Sequence, residues 1–426
     1  MGSLPEAQTA SQPFKVLIAG GAYAGLSAAL NLQDLCRGLA PRCGPQPVEG
    51  EAQPPVDRPQ FDVDITIVDE RDGFYHLIGT PLGLASDTYA SKCWVKYDEI
   101  PALQSPNIHV LHGSMQSVDA ERKIATYLPH GAAADATSEL QYDYFVAATG
   151  LRRVWPVVPQ SLKRKQYLFE MGDYTREATT GRHGVVIVGG GAVGIEMAAE
   201  LKLVQPQVNV TLVHSRDKLL SSEALPVEVK DCALELLKEA GVEVLMNHRL
   251  EKTEEATDQQ GRKSIRVHFT NGHSMLADQV SMAVSRSVPS TGYLPGGVMD
   301  EEGYVKIKPS LAFPETSPNA ADHFAIGDLV KWSGIKRCGG AMHMGYFAAN
   351  NIHQRMQQKT KDTETKFLEL DEIPPMIGLA VGRKAVSYWP EGGVSSGEDV
   401  SKLFFGDDLG FAICWNHLGL GADKTA

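Results

Sequence analysis

Along the chain, the first ordered pattern is a short apolar run over residues 15–19. It stops at Gly20-Gly21-Ala22-Tyr23-Ala24-Gly25 and gives way to an Ala/Leu-rich stretch with helical spacing over 26–35. Strand, tight turn, helix is the opening of a βαβ unit. Residues 38–60, rich in proline and glycine, predict a solvent loop before the next strand, 63–68, which ends at Asp69. The stretch 74–101 reads as irregular. Residues 108–111, 116–119 and 123–128 predict short strands of a small antiparallel sheet. The apolar run 144–148 predicts a buried strand closed by Thr149-Gly150.

The same grammar then recurs. Residues 185–188 form a strand pattern, 189–194 a glycine turn and 195–203 a helix pattern. The next strand, 208–213, ends at His214-Ser215-Arg216. A helix is predicted over 227–240, with Gly241 as the residue beyond its C-terminus. Short strands are predicted at 243–246, 265–269 and 279–284, with the polar stretch 251–263 as a hairpin tip. A buried strand ends at Gly327-Asp328, and a helix is predicted over 345–359. The tail carries two apolar pieces, 376–381 and 403–420, read as core.

Two glycine turns in one chain carry more weight than one. The second is complete, Gly189-x-Gly191-x-x-Gly194. The first glycine permits the turn, the second lets backbone approach a pyrophosphate, and the third lets helix and strand pack closely. Unpaired N–H groups at the helix N-terminus then face the phosphates. The first turn, Gly20-Gly21-Ala22-x-x-Gly25, has alanine at the middle position, and Asp69 is placed to bind a ribose hydroxyl. Beyond strand 208–213, His214, Ser215 and Arg216 offer no carboxylate to repel a 2′-phosphate, so the site is read as open to NADPH as well as NADH. Thr149-Gly150 and Asp328, at two strand ends, suit the flavin and ribityl parts of FAD.

Composition narrows the classes. The 426 residues carry 40 Lys+Arg against 52 Asp+Glu, a formal charge of −12, which argues against a nucleic-acid partner. Six cysteines with no CxxC pair predict neither a disulfide framework nor a metal site, and Cys93 and Cys338 read as small buried apolar residues. With no redox-active pair evident near the flavin strands, disulfide reductase chemistry is disfavoured. No apolar run approaches the roughly 18 residues of a membrane span, and the polar N-terminus predicts no secretory signal. Gly2 fails as a myristoylation signal because Glu6 stands where Ser or Thr is wanted.

The order IAGGAYAG (18–25), VDERDGFYH (68–76), VAATG (146–150), VVIVGGGAVGIEMAAEL (185–201), VTLVHS (210–215), FAIGD (324–328) and AMHMGYFAANNI (341–352) resembles the FAD-dependent pyridine nucleotide–disulfide oxidoreductase superfamily. Within it, the likeness is to the apoptosis-inducing-factor-like, ferroptosis-suppressor-like branch. The tail pieces VGRKAV (381–386) and DDLGFAICW (407–415) match more weakly. The resemblance implies an α/β fold of two doubly wound, Rossmann-like domains, the second inserted in the first, plus a C-terminal α+β region. The expected parts are 1–155 and 290–360 for FAD, 156–289 for NAD(P)H, and 361–426 for the remainder.

It also implies FAD held by Gly20, Gly21, Ala22, Gly25 and Asp69, with Thr149, Gly150 and Asp328 at the flavin. Gly189, Gly191 and Gly194 would hold the nicotinamide nucleotide. Glu196 would stand at the nicotinamide–flavin contact, or only satisfy its helix dipole. Met342 and His343 would lie near the flavin, where His343 would donate a proton or serve a structural role. One departure is Ser285-Arg286, where the family has Thr-Gly. The implied activity is hydride transfer from NADPH or NADH to FAD, then electron transfer to a small acceptor, a quinone or an aromatic natural product. A cytoplasmic enzyme with peripheral membrane contact is expected. A flavin oxidase or dehydrogenase using O₂, a nucleotide-binding redox sensor or interaction protein, and a monooxygenase remain as alternatives.

Overall fold

A computed structural model describes residues 12–44, 58–257, 261, 263–284, 287–361 and 365–421. The first sheet has seven strands in the order His323–Ala325, Tyr144–Ala147, Phe14–Ala19, Val63–Asp69, Ile108–Asp119, Ile124–Pro129 and Ser138–Gln141. Its first five strands are parallel and the last two antiparallel. The strand beside Tyr144–Ala147 comes from far downstream. The chain therefore leaves this sheet, builds a second one, and returns.

Helix Tyr23–Cys36 is buried on every residue. A helix without a polar face must be covered on all sides. The first sheet takes one side and helix Cys338–Lys361 the other. Gly345 makes the helix contact close, since a Cβ there would fall 2.5 Å from the Ala24 carbonyl oxygen.

The second sheet is parallel, in the order Glu243–Leu245, Val210–Val213, Val185–Val188 and Gln279–Met282. Its two central strands, Val210–Val213 and Val185–Val188, are buried on both faces, hence their unbroken apolar runs. Two doubly wound α/β units with one inserted in the other follow from this connectivity. In the tail, strands Ile377–Val381, Lys384–Trp389 and Gly393–Gly397 form an antiparallel sheet, followed by helices Glu398–Phe404 and Phe411–His417. Leu379, Val381 and Val386 share a core with Ile195 and Ala198 of the second unit. Cys414, Leu418 and Leu420 join the core of the first. The tail thus packs on both units.

Several expectations are corrected. The strands expected at 108–111 and 116–119 are one strand, Ile108–Asp119, with an irregularity between Met115 and Ser117. That bulge lets one strand close the parallel sheet and start the antiparallel extension. Much of the expected hairpin tip is strand Leu250–Thr257, paired with Lys263–Phe269. The stretch 74–101 contains helices Thr80–Ala85 and Asp87–Cys93 between strands Gly73–Tyr75 and Trp94–Lys96. Helix Cys338–Lys361 begins seven residues before the expected start. The polar helix Arg164–Thr180 was not anticipated. In the tail, Leu403, Phe404 and Ile413 are exposed rather than core. Most of the loop 38–60, all of Ser285-Arg286 and the Gly2/Glu6 signal lie outside the described residues.

Candidate functional site

The first turn is a steric necessity. Gly20 has φ +105°, and a Cβ on it would fall 2.5 Å from the Ala148 carbonyl oxygen. A Cβ on Gly25 would sit 1.8 Å from the Gly20 oxygen, so any side chain there would drive the helix off the strand. Asp69 accepts the Gly21 N–H at 2.6 Å and the Arg71 N–H at 2.8 Å. Burial raises its pKa, although those two amides oppose the shift. Tyr97 donates its hydroxyl to the Gly21 carbonyl at 3.0 Å. The acid thus braces the turn, and each carboxylate oxygen keeps a second lone pair.

The second turn repeats the geometry. Gly189 has φ +124°, and a Cβ on Gly194 would lie 1.9 Å from the Gly189 oxygen. A Cβ on Gly191 would meet nothing within 4 Å, so the space above it is open to a ligand. Here His214 takes the place of the acid. Its Nδ1 accepts the Gly190 N–H at 3.1 Å, and its other nitrogen meets Ser221 Oγ at 3.0 Å. Burial, with Arg216 nearby, lowers its pKa and keeps the ring neutral. Ser215 and Arg216 are exposed beside it.

One cleft, about 1620 Å³ counting space open to solvent, joins the two units. Ala22, Asp69, Thr149, Gly150 and Asp328 line it from the first unit, and Glu196 from the second. Gly20, Gly21 and Gly25 stand behind that wall. Gly189, Gly191, Gly194, His214, Ser215 and Arg216 stand outside it, in and beside the second turn. Thr149 Oγ1 donates to the Ser290 carbonyl at 2.6 Å and meets Tyr293 Oη at 3.0 Å. Burial raises the Asp328 pKa, with Lys336 and Arg153 opposing. Burial pushes the Glu196 carboxyl up to about 8, against the pull of the Ala380 amide.

Two residues stand differently from the expectation. His343 is not in the cleft wall. Its side chain is exposed and its ring lies 4.3 Å from that of Phe347. Its neighbour Met342 is buried in the core, so the helix turn that buries one residue directs the next outward. Cys338 is half-buried and packs against the core of the first unit, but it also lines the cleft, and its Sγ lies 4.0 Å from that of Cys414. Cys93 is fully buried, as expected.

The sequence reading also missed the cations of the cleft. Arg71, Arg152, Arg153, Lys336 and Arg337 line it beside the carboxyl groups of Asp69, Glu70, Glu196 and Asp328, and Arg152 pairs with Glu70 at 2.6 Å. Arg71, Arg152 and Arg153 lie within four residues of the strand ends at Asp69 and Thr149-Gly150, which was the available signal; Lys336 and Arg337 precede a helix that starts seven residues earlier than expected. The cradle suits a dinucleotide: bare backbone at the turns, cations for a pyrophosphate, and Asp69 for a ribose hydroxyl.

Comparison with known proteins decides the family. Residues 14–345 match the pyridine nucleotide-disulphide oxidoreductase family. The chain belongs to it. Members bind FAD and NAD(P)H, and the chain is an FAD- and NAD(P)H-dependent oxidoreductase of this family. "Oxidoreductase OXR1" of Ajellomyces capsulatus is 48% identical over 99% of this chain and 90% of its own length. "Ferroptosis suppressor protein 1" of Homo sapiens is 25% identical over 91% of this chain and 94% of its own. Among solved structures, NDH2 from Plasmodium falciparum in complex with NADH superposes with a TM-score of 0.63 at 13% identity. It covers 96% of this chain and 98% of its own, and at that identity shows the shared fold. Among the described residues no helix is long and apolar enough to cross a membrane.

Proposed function

We propose that the protein passes a hydride from NAD(P)H, with NADPH preferred, to FAD and then the electrons to a quinone-like acceptor. One observation carries this reading: Glu196, from the helix of the second glycine turn, lines the same cleft as Thr149 and Asp328. FAD, when bound, supplies the two-electron chemistry, and the chain supplies binding, orientation and proton control. With its pKa near 8, Glu196 holds its proton at neutral pH. It can then give a hydrogen bond at the cofactor junction without placing a negative charge in the hydride's path. The NADPH preference rests on Ser215 and Arg216, exposed beyond the strand end, where His214 rather than a carboxylate accepts the amide hydrogen of the turn.

An apolar rim supports a quinone-like acceptor. Ile78 lines the cleft, and a Cβ on Gly410 would touch Ile78 at 3.5 Å and the Phe404 oxygen at 3.7 Å. Leu403, next in sequence to Phe404, is 72% exposed, so peripheral contact with a membrane from the cytoplasm belongs to the same proposal. The test is anaerobic mixing of the FAD-loaded protein with NADPH or NADH, followed by re-oxidation with a quinone or O₂. Flavin bleaching, faster with NADPH, and faster return with quinone are expected. No bleaching with either nucleotide would overturn the proposal in favour of an oxidase reduced by its own organic substrate.

A further inference from the structure

His76 follows strand Gly73–Tyr75, is fully buried, and has both ring nitrogens engaged. Nε2 lies 3.0 Å from the Leu409 carbonyl oxygen, and Nδ1 lies 3.1 Å from Tyr23 Oη. A carbonyl only accepts, so the ring proton sits on Nε2. Nδ1 of the neutral ring then accepts, and Tyr23 donates its hydroxyl. Burial pushes the His76 pKa down to about 4, which keeps the ring neutral. Tyr23 Oη also accepts the Ile78 N–H at 3.4 Å. One imidazole thus joins residues 23 and 409, near opposite ends of the chain.

Tyr23 opens helix Tyr23–Cys36 directly after the first glycine turn, and it lines the cleft. Leu409 belongs to the tail turn between helices Glu398–Phe404 and Phe411–His417. The residues beside it are held as well. Tyr89 donates its hydroxyl to the Asp408 carbonyl at 2.5 Å, and the Phe411 ring meets His76 in a T-shaped contact with centroids 5.4 Å apart. A Cβ on Gly410 would lie 3.5 Å from Ile78 Cδ1, and Leu77 and Ile78 line the cleft. The tail turn therefore borders the apolar rim of the cleft, and His76 is the side chain that ties this border to the cofactor side.

We infer that His76 is a positioning residue for the electron acceptor: its bonds to Tyr23 and to the Leu409 carbonyl hold the tail turn 408–411 against Ile78, and the rim so formed seats a flat apolar acceptor. This rests on the acceptor reading proposed above. The chain of bonds ends on a backbone carbonyl, so it holds geometry and relays no proton. Tyr23 spends its one hydroxyl hydrogen on His76, which leaves that side chain no donor to offer into the cleft. Dioxygen is too small to need such a seat, so breaking the link separates the two acceptors.

The test uses the full FAD-loaded chain as parent, His76→Phe, His76→Gln and Tyr23→Phe, each checked for bound FAD. Phe at 76 keeps the bulk and loses both bonds, whereas Gln keeps one donor and one acceptor. Tyr23→Phe removes only the bond on the cleft side and decides the matter if His76→Phe fails to fold. Each protein is reduced anaerobically with NADPH and then mixed with a quinone or with O₂. In His76→Phe, flavin reduction by NADPH and re-oxidation by O₂ should be unchanged. Re-oxidation by sub-saturating quinone should slow roughly 10-fold, the worth of the two lost hydrogen bonds. Hydrogen exchange at residues 408–412 should quicken. Tyr23→Phe should shift quinone re-oxidation and exchange in the same direction by less, and His76→Gln should recover most of both. Unchanged exchange in both Phe variants, or an equal loss with quinone and O₂, would overturn the positioning role. A loosened turn in the variants, with a parent re-oxidised no faster by quinone than by O₂, would keep the link and overturn the acceptor reading.

Discussion

His214 stands in the second glycine turn where Asp69 stands in the first. Each accepts an amide hydrogen of the turn, from Gly190 at 3.1 Å and from Gly21 at 2.6 Å. To accept on Nδ1 the imidazole must be neutral, with its proton on Nε2 facing Ser221 Oγ. The turn is thus braced without the negative charge that braces its counterpart, which leaves room for a 2′-phosphate beside Arg216.

His214→Asp restores that charge. The ratio of kcat/KM for NADPH to that for NADH should fall roughly 10- to 100-fold, the worth of about 1.5–3 kcal/mol for a hydrogen bond to a charged group. Arg216→Ala should move the ratio in the same direction through the KM for NADPH. Steady-state kinetics with both nucleotides checks this, and an unchanged ratio in both variants would reject the role of this strand end.

The two glycines of the second turn should behave differently. Gly194→Ala places a methyl group 1.9 Å from the Gly189 oxygen, so the folded protein should lose about 1–3 kcal/mol. Gly191→Ala meets nothing, and its stability should stay within ~0.5 kcal/mol of the parent while the KM for NADPH rises. Denaturant midpoints beside nucleotide titrations separate the two effects. Equal destabilisation would show that the space above Gly191 is not the ligand's.

Glu196 and Glu200 lie four residues apart on one helix, and burial pushes both carboxyls from 4.5 to about 8. One oxygen of Glu200 is buried with no hydrogen-bond partner. The folded protein keeps protons that the unfolded chain releases above pH 4.5. Stability from these groups is therefore fullest below that pH and is lost as pH rises through about 8. Melting temperature should fall across this window and level off beyond it. Glu200→Gln should flatten the slope, and a parent profile that rises with pH across the window would contradict the assignment.

Arg42 joins three segments. It pairs with Asp34 at 2.9 Å, both side chains almost fully buried, and donates to the Gly419 carbonyl at 3.0 Å. Arg42→Ala leaves the Asp34 carboxylate without that cation, at a cost of about 3–5 kcal/mol. The tail after helix Phe411–His417 should loosen as well. Hydrogen exchange at residues 418–420 measures this, and unchanged protection there would show that the tail is held by its apolar contacts alone.

Some structure absent from the sequence reading was within its reach. Helix Arg164–Thr180 is polar overall, but its buried residues Tyr167, Met171, Tyr174, Thr175 and Ala178 follow helical spacing. The cations beside the motifs were equally visible, and only their convergence was not. The exposed Leu403 and Phe404 could not be told from core, because an apolar residue in sequence carries no record of what covers it.

By itself, the sequence determined both nucleotide turns, the strands that feed them and the acid or histidine that follows each second strand. Those features obey local rules: a Cβ excluded by an oxygen a few residues away, and a side-chain period set by the backbone. Tertiary packing decided that Glu196 reaches the cleft between the units, that His343 is exposed and outside its wall, and that Cys338 meets Cys414. These relations depend on how two sheets and a distant tail pack together, and no short-range pattern encodes a contact across 76 residues.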